Sequence, residues 1–210
     1  MGKYNEGILG FFRGKIGRVI GSVVRGVHYM KGLGDIRTDN PTPAQLDHRL
    51  KFALMTAFLK PLKNLIEGGF LAGKTGPSAM NLALSTNLRN AVTGISPNYA
   101  IDYAKFIFSS GSLSKAHTGG LATKDNAKLE FNWELTGTDA PSDQATLLVY
   151  NPTQRTYVTL PSAAPRSALK YTLQLPTDFA DQIVHAWICF VSADKLDVSN
   201  TSYLGTLTVV

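Results

Sequence analysis

The stretch Leu129-Glu130-Phe131-Asn132-Trp133-Glu134-Leu135 alternates strictly between apolar and polar residues, with Leu129, Phe131, Trp133 and Leu135 on one face. That period of two belongs to a half-buried β-strand and excludes an amphipathic helix. Further strand-like runs follow at 145–151, 156–160, 169–175, 184–192 and 202–209, separated by turn clusters at 137–143, 151–154, 161–165 and 194–200. Strands at this spacing, with no helical pattern between them, predict an antiparallel immunoglobulin/fibronectin-like β-sandwich over residues 113–210. The Trp133 and Trp187 strands are expected to supply opposed residues of its core.

Residues 1–112 read differently, as an α+β part. Nine glycines fall in the first 34 residues, interleaved with β-branched residues between Lys15 and Tyr29. Such a stretch favours strand with bends or close backbone approach, and a β-hairpin turning near Gly21-Ser22 is expected. A hairpin is marginal alone and needs something to lie against. Thr42-Pro43-Ala44-Gln45 then combines a capping box with proline at the first helical position. The helix it opens carries Leu46, Leu50, Leu54, Phe58, Leu62 and Leu65 as an apolar stripe, is interrupted by Pro61 and ends at Gly68-Gly69. A second helix is expected after Pro77, capped by Ser78, burying Met80, Leu84, Leu88 and Ala91 and stopping by Gly94. Ile101 to Phe108 is expected to be a strand leaving this part.

Composition enters as a constraint on partners. With 44% hydrophobic and 17% charged residues the chain reads as globular, and its apolar runs fall well short of a membrane span. Its start is not that of a secretory signal, so synthesis in the cytoplasm is expected, with later incorporation into a particle or export by another route left open. Residues 1–75 hold 12 Lys/Arg against 5 Asp/Glu, whereas residues 116–210 hold 6 against 9. A basic first half attracts a polyanion, an acidic protein surface, or the acidic second half of a neighbouring copy.

The sequence points to no catalytic, cofactor-binding or metal-binding residue. Gly68-Gly69-Phe70-Leu71-Ala72-Gly73-Lys74-Thr75 fits a phosphate-loop pattern, but that chemistry needs a strand before the loop and a helix starting at its end. Here an amphipathic helix precedes it and Gly76-Pro77 follows, so a glycine linker is the simpler reading. The histidines His28, His48, His117 and His185 are not spaced as metal ligands, and Cys189 is the single cysteine. Its apolar setting predicts a buried, unreactive thiol. Asp102 with Lys105, and Glu130 with Glu134, read as solvated charges on strands. The contacts left for a partner are Arg13, Lys15, Arg18, Arg25, Tyr29 and Lys31 in the glycine-rich segment. Cations interleaved with aromatic side chains suit protein partners or self-association, and also a nucleic acid.

Several motifs bear a resemblance to a known family. They are Gly14-Lys15-x-Gly17-x-Val19-x-Gly21-Ser22 with Gly26-Val27-His28-Tyr29-x-Lys31, and Asn40-Pro41-x-Pro43-x-Gln45-x-x-x-Arg49-x-Lys51-Phe52. Asn90-Ala91-x-Thr93-Gly94 and Pro97-Asn98-Tyr99-x-Ile101-Asp102-Tyr103 complete the set. Together they resemble an uncharacterised family of Bacteroidota proteins of about this length, a domain of unknown function, across nearly the whole chain. Related Gly-Lys-x-Gly and Asn-Pro-x-Thr-x-x-Gln patterns occur in phage-associated proteins. Pro43 stands here where those patterns often carry threonine. The resemblance implies a virion or assembly component and transfers no catalytic residue. The expectation is therefore a non-enzymatic structural or interaction protein. A nucleic-acid-binding protein using the basic half, or a ligand- or glycan-binding sandwich, are the alternatives.

Overall fold

The computed structural model describes residues 3–4, 10–35, 39–71, 76–137 and 139–210. Its first sheet joins β1 (Lys3–Tyr4), β2 (Phe12–Ile16), β3 (Val19–Val24) and β4 (Val27–Gly32) as an antiparallel meander in that order. The expected turn at Gly21-Ser22 is not there. The chain reverses at Gly17-Arg18 and again at Arg25-Gly26, and Arg25 and Gly26 both take positive φ, 51° and 80°. A two-residue hairpin loop with that pair of angles matches the twist of its strands. Gly21 instead lies inside β3, opposite Gly14, where an added Cβ would come 2.2 Å from the Phe12 carbonyl oxygen. Its glycine serves close approach rather than a turn.

α1 (Pro43–Leu59) begins as expected. The Thr42 hydroxyl accepts from the Gln45 amide, and the Gln45 side chain accepts from the Thr42 amide at 3.0 Å. Pro61 tightens the chain into a 3-10 turn, Lys60–Leu62, before α2 (Lys63–Gly69) continues. The expected stripe is buried only in its second half. Leu46 and Leu50 are exposed, and the buried residues are Met55, Phe58, Leu59, Leu62 and Ile66. The first turns of α1 extend past the surface that the rest of it packs on. α3 (Ala79–Asn90) is capped by Ser78, which accepts from the Asn81 amide at 3.2 Å. It buries Ala79, Ala83 and Asn87, with Ala91 beyond its end, while Met80, Leu84 and Leu88 are only partly buried. Small residues let it lie close to its neighbours, so the large ones pack at the margins.

The strand expected from Ile101 to Phe108 is replaced by a hairpin and an irregular segment. β5 (Val92–Ile95) pairs with β6 (Asn98–Ile101), and the chain then turns at 103–105. Phe106 and Phe108 both enter the core, and Asn87 takes the hydrogen bonds that a partner strand would have supplied to Ile107.

The remaining strands are β7 (His117–Lys124), β8 (Lys128–Glu134), β9 (Gln144–Asn151), β10 (Thr156–Pro165), β11 (Lys170–Gln174), β12 (Ile183–Val191) and β13 (Ser202–Thr208). They form two antiparallel sheets, β11-β8-β7 and β10-β9-β12-β13. Leu129, Phe131 and Trp133 of one sheet meet Leu147, Val149, Ile188 and Phe190 of the other in the sandwich core. Leu135 falls past the end of β8 and is exposed. The chain is thus mostly β, with two long helices.

The Trp133 and Trp187 strands do supply opposed core residues, with the Trp133 and Phe190 rings 5.9 Å apart, but Trp187 itself is not among them. Trp133 points into the sandwich, whereas Trp187 lies on the outer face of β12 with Cys189, beside Leu148 and Tyr150 of β9, in the core that also holds Phe58, Leu59, Ile66 and Phe106. Both faces of β9 and β12 are covered, and such strands read as continuous apolar runs whose period conceals which face is which. The helices make a third layer on the larger sheet, and this second core draws residues from both sides of position 112.

Candidate interaction surface

The six residues singled out from the sequence divide between two situations. Strand register places Lys15 opposite Ile20 and Ile20 opposite Lys31, so the two lysines flank Ile20 on one face of the N-terminal sheet. Tyr29 pairs with Ser22 and Val27 with Val24, which puts Tyr29, Val24 and Val27 on that same face. Arg13 is exposed on β2. Arg18 and Arg25 leave the cluster. Arg18 meets the Asp35 carboxylate at 2.7 Å, and Arg25 donates to the Pro77 carbonyl at 3.0 Å.

Apolar exposure was the part of this surface that the sequence reading passed over. Val24 is 56% exposed, Val27 40%, Tyr29 54%, and Met30, on the opposite face, 71%. On that second face the Phe11 and His28 rings stack at 3.6 Å beside a cleft of about 250 Å³ lined by Phe12, Gly21 and Met30. No residue of β1–β4 enters either buried core among the described residues. The alternation of Val27, Tyr29 and Lys31 with His28 and Met30 was the available signal, since it leaves no wholly polar face.

A second grouping is made of aromatic rings. Phe58 packs edge-on to Tyr150 and Tyr157, with ring centroids 5.1 and 5.4 Å away, and Tyr103 completes the cluster. With Pro61, Pro152 and Arg155 these rings line a cleft of about 500 Å³ between the helical layer and β9–β10. The Tyr157 hydroxyl donates to the Phe58 carbonyl at 3.0 Å. Burial pushes the Tyr103 hydroxyl up to about 12, and it raises Tyr157 as well.

The other charged and polar candidates have local partners. Asp102 pairs with Lys105 at 3.1 Å, Glu130 with Lys124 at 3.7 Å, and Glu134 accepts from the Thr118 hydroxyl at 2.6 Å. His185 Nδ1 lies 2.8 Å from the Tyr203 hydroxyl, and burial lowers its pKa. His48 is exposed on α1. Cys189 is buried, and burial raises its thiol to about 12 against a smaller opposing hydrogen bond from Ser109. Among the described residues, no three histidine, cysteine or carboxylate side chains are grouped so as to hold a metal ion. No helix among them is long and apolar enough to cross a membrane. Gly68 and Gly69 end α2, so a helix leads into the phosphate-loop-like match, and its residues 72–75 lie outside the described residues.

One buried ionic cluster was not foreseen. Arg166, fully buried, sits 3.0 Å from Asp139 and 3.8 Å from Asp143, donates to the Ser114 and Lys115 carbonyls, and lies over the Phe190 ring at 4.2 Å. It ties the segment entering β7 to the loops beside β8 and β9. That is a structural role for a buried cation.

One family profile reaches from β2 of the N-terminal sheet through the helical layer into the last strand of the sandwich. The profile of a family of unknown function, DUF6266, matches residues 11–205, and the chain belongs to that family. No curated protein matches the sequence. Among solved structures the chain is similar to the fn3 domain of human collagen alpha-1(XX) chain, at 17% identity and a TM-score of 0.37, covering 49% of this chain and 91% of that one. It is also similar to the fn3 domain of human contactin 1, at 10% identity and a TM-score of 0.32, covering 56% of this chain and 93% of that one.

Proposed function

We propose that this chain is a non-enzymatic interaction protein, a subunit of a larger assembly such as a virion, filament or surface structure, and that its N-terminal sheet is the contact surface. The observation that carries the reading is the exposure of Val24, Val27, Tyr29 and Met30 on a sheet whose described residues enter neither core. A small sheet gains its stability from covering an apolar face, and here a partner would supply the cover. The three-layered remainder, with its own cores, then acts as the body that presents the sheet.

The test is native mass across a concentration series, with electron microscopy of the same samples, for the full chain and for Val24→Ser/Val27→Ser. Defined oligomers or filaments that disappear in the double variant support the reading, as does a stoichiometric partner complex lost in the same way. A strict monomer at high concentration, whose partner contacts survive the double substitution, would remove the sheet from this role.

A further inference from the structure

We propose that β4 is a docking edge for an extended, acidic segment of a protein partner, which adds to the N-terminal sheet as a further antiparallel strand. The proposal rests on the contact role assigned to this sheet above and names the partner's chemistry. Among the described residues no strand pairs with the outer side of β4. The two-residue turn at Arg25-Gly26 makes Val24 and Val27 the hydrogen-bonded pair that closes the hairpin. Val27, Tyr29 and Lys31 therefore spend their backbone groups on β3, and the Leu33 amide extends that ladder to the Arg18 carbonyl at 2.6 Å. The N–H and C=O groups of His28, Met30 and Gly32 point the other way, along an edge without proline.

Charge decides what can occupy that edge. Residues 10–35 carry five cations against the single carboxylate of Asp35. Two copies meeting edge to edge would bring these like charges together, whereas an acidic strand is drawn to them. A nucleic acid fits less well. Arg18 is engaged by Asp35 and Arg25 by Pro77, and the exposed apolar side chains with outward backbone groups match a peptide strand rather than phosphates. In an added antiparallel strand, Val27, Tyr29 and Lys31 become non-hydrogen-bonded positions, where side chains approach most closely. The partner read from its N-terminus thus places an acid opposite Lys31, then an aromatic or apolar residue opposite Tyr29, then an apolar one opposite Val27, with spacers between.

The probe is a fluorescein-labelled peptide in which threonine alternates with glutamate, tyrosine and valine in that order, titrated by anisotropy against the full chain. Comparison probes are the same peptide with lysine for glutamate, the glutamate peptide N-methylated on its pairing amides, and single-stranded DNA. The glutamate peptide should bind about tenfold more tightly than the lysine peptide, the swing between opposite-charge and like-charge cross-strand pairs. Lys31→Glu should invert that order, and N-methylation should abolish binding. Met30→Pro, which removes an outward N–H, should weaken both peptides alike.

Equal binding of the two peptides, or indifference to N-methylation, would overturn the proposal. So would DNA that displaces the peptide and loses its own binding in Lys31→Glu, since the edge would then be serving a polyanion. No peptide binding, alongside oligomers still lost in Val24→Ser/Val27→Ser, would overturn strand addition and leave the contact role standing. No peptide binding in a strict monomer whose partner contacts survive Val24→Ser/Val27→Ser would remove both.

Discussion

Asn87 holds both backbone polar groups of Ile107: its side-chain amide donates to the Ile107 carbonyl at 2.8 Å and its side-chain oxygen accepts from the Ile107 amide at 2.9 Å. The same nitrogen also donates to the Ala83 carbonyl within α3 at 2.9 Å. Asn87 is fully buried and Ile107 partly so, which limits how far water can replace these bonds. Asn87→Ala should destabilise the protein by about 3 kcal/mol, because buried backbone groups left without a partner cost roughly 1–3 kcal/mol each. A urea titration checks this: the midpoint should fall with the slope unchanged. An unchanged midpoint would mean that Ile107 finds other partners.

The Arg166 cluster makes a prediction about acid. Burial alone would raise Asp139, but hydrogen bonds from Ser114 and Thr136, with the charge of Arg166, bring it down to about 2 from an ordinary 3.8. A carboxylate depressed in the folded state adds stability above its unfolded pKa, and loses it as pH falls through the folded value. Stability should therefore decline from about pH 4 toward about pH 2, and Asp139→Asn should flatten that limb. Asp143 is shifted the other way, raised chiefly by burial, so its contribution to the pH slope has the opposite sign. Arg166→Met should cost about 3–5 kcal/mol at neutral pH, the usual consequence of stranding a buried partner. Thermal melts across a pH series separate the two variants from the parent.

What was legible in the sequence depended on how many faces each element buries. β8 has one buried face, and its alternation gave its position and the inward residues Leu129, Phe131 and Trp133, though not that it ends before Leu135. β12 is apolar on both faces, so its position was readable and the orientation of Trp187 was not. β7 went unseen because Gly119-Gly120 interrupts the apolar alternation that marks a strand; it is placed by its pairing with β8, a contact no local pattern carries. The α1 cap was readable because it is local, whereas the half-exposed stripe depends on where the sandwich ends. In the candidate surface the cations were visible, but the pairing of Arg18 with Asp35, 17 positions away, and of Arg25 with Pro77 was not.

Cys189 should behave as an inert thiol. Its thiol is raised to about 12, so at neutral pH almost none is thiolate, the reactive form. Labelling with an aromatic disulfide reagent should be negligible in the native protein and complete in denaturant. In intermediate urea the labelling should follow opening of the interface between the helices and β12. Rapid native labelling would mean that the cleft beside Gly69 and Thr146, which Cys189 lines, admits reagent to the sulfur.

Gly68 and Gly69, adjacent at the end of α2, should respond oppositely to the same added methyl group. At Gly69 a Cβ would lie 2.2 Å from the Phe108 carbonyl oxygen and 3.0 Å from the Ser109 Cβ, and the obstacle is backbone. That approach lets Ser110 donate to the Gly69 carbonyl at 2.9 Å, joining the helix end to the segment that carries Phe106 and Phe108. Gly69→Ala should therefore lower stability by about 1–3 kcal/mol, as overpacked sites do. At Gly68 nothing lies within 4 Å of the built Cβ, and no positive φ opposes a side chain. Gly68→Ala should raise stability by about 0.5–1 kcal/mol, from helix propensity and a less disordered unfolded chain. Denaturation midpoints of the two variants, compared with the parent, measure the difference. A Gly69→Ala variant as stable as Gly68→Ala would show that α2 can draw back from Phe108, and that this close approach does not hold the helical layer in place.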